Sequence, residues 1–275
     1  SAKRVAEVLN RNIDIQDPME PSPLPNTFNG EIEFKNVSFQ YADAPQPILK
    51  NISFKAKANQ TTAFIGSTGS GKSTLIHLIP RFYDVSEGQI LIDGIDIKSM
   101  KQHDLHTLIG YVPQQGILFS GSIEKNIMFG QEEKDVESIK KAAEIAQADT
   151  FIESFEGNYE YLIAQGGKNV SGGQRQRLSI ARAIAKQPRI YIFDDSFSAL
   201  DYQTDQALRQ ALNQEIKSTK LIVAQRINSI KDADQIIVLE QGEIVGIGTH
   251  ESLLKENQVY QEIASSQLSK EELSR

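Results

Sequence analysis

Gly66-Ser67-Thr68-Gly69-Ser70-Gly71-Lys72-Ser73-Thr74 decides how the rest of the chain is read. It has the form G-x-x-x-x-G-K-[ST], in which glycines let the backbone wrap a phosphate so that successive N–H groups point inward, ahead of the positive end of a helix. Lys72 is spaced to reach the β and γ oxygens of a nucleoside triphosphate, and Ser73 to put its hydroxyl on a Mg²⁺ ion bridging the same phosphates. Gly66, Ser67, Thr68, Gly69, Ser70, Gly71 and Thr74 complete the cradle. The flanks agree: Thr61 to Ile65 reads as a short buried strand and Leu75 to Phe82 as an amphipathic helix, the order the loop requires. A plain Gly/Ser turn before an ordinary helix is the bland alternative, and these flanks weigh against it.

Upstream, Glu31-Ile32-Glu33-Phe34-Lys35-Asn36-Val37-Ser38-Phe39-Gln40-Tyr41 alternates apolar and polar residues, the period of a strand with one face exposed. Ile48 to Ala56 alternates in the same way, so two antiparallel-looking strands precede the loop. Before them, Ser1 to Asn10 has helical spacing at Val5, Val8 and Leu9 and gives way to Pro18, Pro21, Pro23 and Pro25, an extended linker. Residues 1–30 are therefore expected to be the tail of something upstream.

Downstream, Gly88 to Gly94 reads as a strand and an Asp-Gly hairpin turn, and Thr107 to Val112 as an apolar strand ending at Pro113-Gln114-Gln115. From residue 120 to 186 the period becomes helical, and the last helix follows Val170-Ser171-Gly172-Gly173-Gln174 and stops at Lys186 before Pro188. Arg189 to Phe193 has the length and composition of a central parallel strand, ended by Asp194-Asp195. Asp201 to Lys217 is helical, Leu221 to Ala224 a strand, Gln235 to Glu240 and Glu243 to Gly248 a pair across Gln241-Gly242, and the chain is helical again from His250. The expected fold is α/β, with residues 31–119 and 187–275 forming a mixed-sheet core with an antiparallel subdomain, and residues 120–186 a helical subdomain.

With 275 residues, 39% of them hydrophobic and 24% charged, the chain can bury a substantial core. A net charge of −7 without a basic cluster argues against nucleic acid as a partner. There is no cysteine, which excludes disulfides and thiolate metal sites. No run approaches the length of an apolar span or a secretory signal, so the chain is expected neither to cross a membrane nor to carry such a signal.

In this order the pieces resemble the nucleotide-binding domain of an ABC transporter, a P-loop NTPase with a RecA-like core, from about Glu31 to Gln267. Ser171-Gly172-Gly173-Gln174 carries the resemblance, because SGGQ between a P-loop and an acid-terminated apolar strand is a signature of that class. A helix cap with flexible glycines is its simpler reading. The hydroxyl, the glycine N–H groups and the helix start form a second phosphate cradle. The resemblance implies that it faces ATP held by another subunit, in a head-to-tail pair sharing two ATPs. It further implies that Tyr41 stacks on adenine, that Gln114 touches Mg²⁺ and the attacking water, and that Asp194 joins Ser73 in the Mg²⁺ shell. Asp201 matches an aspartate that crosses the dimer interface and reads equally well as a helix N-cap. Tyr41, taken alone, reads as a strand aromatic.

Three positions depart from the family pattern. Asp195 stands where a catalytic glutamate is expected, Gln225 where a histidine is expected, and Gln165 where an acidic residue precedes the signature. A carboxylate shortened by one methylene sits roughly 1 Å back from the water, and such a displacement can cost about a hundredfold in rate. Glutamine can donate a hydrogen bond to a γ-phosphate but can neither carry positive charge nor shuttle a proton. Change at both catalytic positions beside an intact SGGQ resembles the degenerate subunit of a heterodimeric bacterial multidrug exporter. On that reading the partners are a second nucleotide-binding domain with Glu and His at these positions and the transmembrane domains of both subunits, and the domain works at the cytoplasmic face of the membrane. A nucleotide-gated binding module, or a homodimeric ATPase outside drug export, is the competing class. A kinase-like phosphotransferase leaves SGGQ unexplained.

Overall fold

In the computed structural model, Val5, Ala6 and residues 15–25, 27–131 and 135–268 are described. The helix expected over Ser1 to Asn10 lies outside them except at Val5 and Ala6. Two sheets organise the rest. β1 (Ile32–Phe39), β2 (Leu49–Ala56), β4 (Glu87–Ile92) and β5 (Ile95–Asp96) form an antiparallel sheet in the order β2-β1-β4-β5. β3 (Thr61–Gly66), β6 (Ile109–Val112), β9 (Ile190–Asp194), β10 (Thr219–Val223), β11 (Gln235–Glu240) and β12 (Glu243–Gly248) form a second sheet in the order β12-β11-β3-β10-β9-β6. All its pairings are parallel except β11 with β12.

The parallel strands are buried on both faces, which is why they read as unbroken apolar runs. Ile190 and Ile192 point to one side with Leu221, Val223, Ile237 and Leu239, where the antiparallel sheet and helix α1 (Lys72–Leu78) pack. Tyr191 and Phe193 point to the other, with Ile236 and Val238, against the helical region. An aromatic chain ties the two sheets just before the phosphate-type loop: Phe34 stacks on Phe54 at 4.6 Å, and Phe54 meets Phe64 edge-on at 5.5 Å.

Residues 120–186 are mainly helical, with α3 (Ile123–Ile127), α4 (Val136–Ile145), α5 (Asp149–Ser154) and α6 (Gly172–Ala185), and they also contain a short strand pair, β7 (Gly121–Ser122) with β8 (Leu162–Ile163). Helix ends moved most from expectation. α1 stops at Leu78 rather than Phe82, because Pro80 cannot donate a backbone hydrogen bond and Arg81 turns to φ 57°. Thr107 and Leu108 close helix α2 (Gln102–Leu108), so β6 begins only at Ile109. α6 starts at Gly172 rather than after Gln174, since Ser171 caps it.

Helix α7 (Tyr202–Glu215) follows β9, and α8 (His250–Glu256) and α9 (Gln258–Gln267) close the chain against the core. Tyr260 and Ala264 of α9 are fully buried, and the Tyr260 hydroxyl lies 2.7 Å from His250 Nδ1. Burial, aided by Lys231, pushes the His250 imidazole below its ordinary range. The unfolded chain then takes up this proton first as pH falls, so the neutral ring's contribution is complete above the ordinary histidine range and is lost on acidification through it. His250→Gln is expected to flatten that component of the melting-temperature profile between neutral and mildly acidic pH, measured by thermal unfolding beside the parent protein.

Candidate functional site

The loop after β3 is tightly enclosed by its neighbours. A Cβ on Gly66 would meet the Leu239 carbonyl oxygen at 2.0 Å, and one on Gly71, whose φ is +99°, would meet Leu49 Cδ2 at 2.7 Å. Lys72 is buried at 8% exposure. Its ammonium donates to Gly66 O at 2.9 Å, Ser67 O at 2.8 Å and Ser70 Oγ at 3.2 Å. Burial lowers its pKa, and the charges of Asp195 and Asp194 oppose that. The Nζ therefore sits inside the loop's own curve, with donors that can pass from carbonyl oxygens to phosphate oxygens at little cost in geometry.

Asp194 ends β9 at 5% exposure, and its Oδ1 accepts from the Ser73 hydroxyl at 2.8 Å. Tyr111 OH donates to Asp194 Oδ2 at 3.3 Å and lies 2.9 Å from His77 Nε2, which is itself 3.4 Å from Oδ2. Burial, then the charge of Asp194, raises the Tyr111 phenol well above its usual range, so it stays a donor to the carboxylate. One hydroxyl and one carboxylate are hard oxygen donors suited to Mg²⁺, which completes its shell with water and substrate phosphate. Among the described residues no group of three or more His, Cys, Asp or Glu could hold a metal unaided. The fit is thus to a cation that arrives with phosphates.

Asp195 adopts φ 46° and is 7% exposed. Its N–H donates to Val223 O at 3.0 Å, and its carbonyl accepts from Ser198 Oγ at 2.8 Å. Its Oδ2 accepts two side-chain amides, from Gln114 at 3.1 Å and Gln225 at 2.7 Å. Burial raises the Asp195 pKa, against the hydrogen bonds from Gln114, Ser198 and Gln225, with Asp194 adding to the rise. Gln114 is therefore tied to Asp195 and makes no hydrogen bond to Asp194 or Ser73.

Thr68, Gly69, Gly71, Lys72, Ser73, Thr74, Gln114, Asp195 and Gln225 line one cleft of about 400 Å³ together with Tyr41. Tyr41 lies two residues beyond the end of β1, partly buried against the core and on the wall of the cleft. Its ring packs edge-on against Phe39 and Tyr83 while its hydroxyl lies 3.2 Å from Thr74 Oγ1. His77 and Tyr111 lie outside the residues the motifs point to; their one signal is a polar side chain within the apolar stretches 75–79 and 109–112.

Ser171, Gly172, Gly173 and Gln174 are not part of that cleft. Ser171 Oγ accepts from Gln174 N at 3.1 Å, and Gln174 Oε1 accepts from Ser171 N at 2.9 Å, a reciprocal capping box on α6. Ser171 and Gly172 are exposed. Asp201 caps α7, accepting from Thr204 N at 3.0 Å and Thr204 Oγ1 at 2.7 Å. Gln165 lies in a short turn where Arg175 Nη1 bonds the Gly166 carbonyl at 3.2 Å.

Residues 49–198 match the ABC transporter family. The chain is 43% identical over 271 residues to the "Uncharacterized ABC transporter ATP-binding protein YfiB" of Bacillus subtilis, covering 98% of this chain and 47% of that protein. It is 42% identical over 264 residues to a "Putative multidrug export ATP-binding/permease protein" of Staphylococcus aureus, covering 96% and 46%. A structure of a bacterial Atm1-family ABC exporter with ATP bound superposes with a TM-score of 0.91 at 34% identity, over 98% of this chain and 47% of that one. The chain spans about half the length of the curated relatives it matches.

Two glycines of the loop differ in what restrains them. Gly66→Ala drives a Cβ into the Leu239 carbonyl, whereas Gly69→Ala meets nothing within 4 Å and carries only the strain of φ +81°. Urea unfolding is expected to show a loss above about 3 kcal/mol for Gly66→Ala and of about 1–2 kcal/mol for Gly69→Ala.

Proposed function

Because the chain belongs to the ABC transporter family, we propose that it binds MgATP and drives export by closing head-to-tail on a second nucleotide-binding domain. The observation that carries this reading is the separation of its two phosphate-type cradles: the P-loop opens on one cleft with Asp195, Asp194 lies behind it on the Ser73 hydroxyl, and the SGGQ element lies outside it. Each cradle then serves one of two ATPs held between the domains. Lys72 and the loop N–H groups hold the phosphates, Ser73, Asp194 and Gln114 hold the cation, and Tyr41 meets the base. A Mg²⁺ ion held by these oxygens would supply charge neutralisation to the phosphates.

On this reading the chain's own site is hydrolytically weak. The Asp195 carboxylate is one methylene short and is already committed to two carboxamides. Those amides favour its charged form and fill Oδ2, so that Oδ1 is the oxygen left for a water. Gln225 adds a neutral donor where an imidazole would add an ionisable one. Ser171 to Gln174, meanwhile, keep the geometry needed to complete the partner's site. The transmembrane domains of both subunits, the heterologous partner and a working place at the cytoplasmic face of the membrane belong to the same proposal; among the described residues no helix is long and apolar enough to cross a membrane.

Two measurements test this. Lys72→Ala is expected to abolish most ATP affinity in titration calorimetry, and Tyr41→Ala to cost about 1–3 kcal/mol if its ring stacks on the base; unchanged affinity in the Lys72 variant overturns the phosphate assignment. In the assembled pair, Ser171→Ala or Gly173→Asp is expected to abolish phosphate release, while Asp195→Asn lowers it little. Equal loss in both kinds of variant means that both sites hydrolyse and that Asp195 acts as an ordinary base.

A further inference from the structure

The two amides that converge on Asp195 Oδ2 come from loops far apart in sequence, and each loop is gripped by one more carboxamide from a helix. Gln176 lies in the second turn of α6 at 1% exposure. Its Oε1 accepts from Gly116 N at 2.7 Å and its Nε2 donates to Pro113 O at 3.0 Å, bracketing the backbone on either side of Gln114. The approach is close: a Cβ on Gly116 would stand 2.7 Å from the Arg175 carbonyl oxygen. At the far end of the chain, Gln267 closes α9. Its Oε1 accepts from Ile227 N at 2.9 Å and its Nε2 donates to Gln225 O at 2.8 Å, bracketing the backbone that carries the second amide. α9 itself is anchored by the buried Tyr260 and Ala264.

Only a carboxamide presents a donor and an acceptor at one planar end, so it can satisfy a backbone N–H and C=O together. Glutamate loses the donor and methionine both. At Gln176 the bracket is made by a buried side chain to part-buried backbone, and unpairing it removes both of these hydrogen bonds at once. Neither residue touches Asp195.

We propose that Gln176 and Gln267 are positioning residues of the nucleotide site, each fixing independently where one glutamine amide meets Asp195. This rests on the reading of that cleft as the ATP site. α6, which begins at the signature, and the final helix α9 thereby become two separate mechanical handles on the same carboxylate. A shift of α6 displaces Gln114 and leaves Gln225 in place; a shift of α9 does the reverse.

The test is amide hydrogen exchange and side-chain amide resonances in ¹⁵N-labelled protein, comparing Gln176→Met and Gln267→Met with the parent. Gln267→Met is expected to speed exchange at Ile227 about tenfold and to move the Gln225 side-chain amide to its solvent position, with Gly116 and Gln114 unchanged. Gln176→Met is expected to do the converse. If Gln176→Met does not fold, Gln176→Glu keeps the Gly116 acceptor and is expected to hold Gly116 protection while Gln114 shifts. Variants that move both amides together, or neither, overturn the proposal, since general loosening of the fold does not discriminate between the loops. MgATP affinity measured on the same parent sample separates the two readings: failure to bind ATP sinks the nucleotide assignment and leaves the amide result standing.

Discussion

β3, β10, β9 and β6 run parallel and in step, with Val223 opposite both Phe64 and Asp194, and Val112 opposite Phe193. That shared register brings their carboxyl ends to one edge of the sheet, where parallel α/β sheets place their ligand crevices. The P-loop leaves β3, Asp194 and Asp195 end β9, Gln225 follows β10 and Gln114 follows β6 within two residues of the strand ends. A slip of one residue in any strand would exchange the side chains that face the two cores and would move its site residue to the other face. The apolar runs buried on both faces hold the register, and the site inherits its precision from the core.

The crevice so formed contains one ammonium and two carboxylates, all less than a tenth exposed. Such groups are costly to bury unless hydrogen-bonded, and each is handled differently. Lys72 is satisfied by the loop it belongs to, through the Gly66 and Ser67 carbonyls and Ser70. Asp194 takes hydroxyls from Ser73 and Tyr111. Asp195 takes amides, which solvate its charge without adding one. In the last case the donors reach the carboxylate only because their loops are held, which makes the helices behind those loops part of the electrostatics.

Legibility in the sequence followed the range of the cause. The loop at Gly66–Thr74 could be read because its constraints are local: Gly71 needs a positive φ and closeness to Leu49, and glycine and lysine spacing records both. β1 and β2 could be read because one face is exposed and alternation survives. The end of α1 is legible at Pro80, inside the stretch expected to be helical to Phe82, whereas the end of α2 is not, because the apolar run from Leu108 into β6 carries no period that separates helix from strand. The Asp195 neighbours Gln114 and Gln225 were found through motif position, yet their shared acceptor oxygen was not, since it joins residues 81 and 30 positions away. Gln176 and Gln267 left no trace at all, because they recognise backbone, and a backbone N–H or C=O has no letter.

The capping box at Ser171 adds a constraint that bears on the asymmetry between the cradles. The box satisfies Gln174 N through Ser171 Oγ, and Arg175 N is taken by the Ser171 carbonyl at 2.9 Å. Helix geometry leaves the N–H groups of Gly172 and Gly173 with no intrahelical acceptor. Nothing lies within 4 Å of the place a Cβ would occupy on exposed Gly172, so an anion can come directly against the backbone there. Gly173 faces the loop that leads to Asp201, with the Ala199 carbonyl oxygen 3.5 Å from its Cβ position. The element is therefore held by its own side chains and by the neighbouring loop, with Ser171 and Gly172 exposed. The Asp195 carboxylate takes its side-chain amides from Gln114 and Gln225 and none from Ser171 to Gln174, and the link between the two is Gln176, one turn further along α6, which grips the loop of Gln114. On the proposed function, a change of side chain at Asp195 leaves the hydrogen bonds of the capping box in place, while a displacement of α6 reaches both cradles.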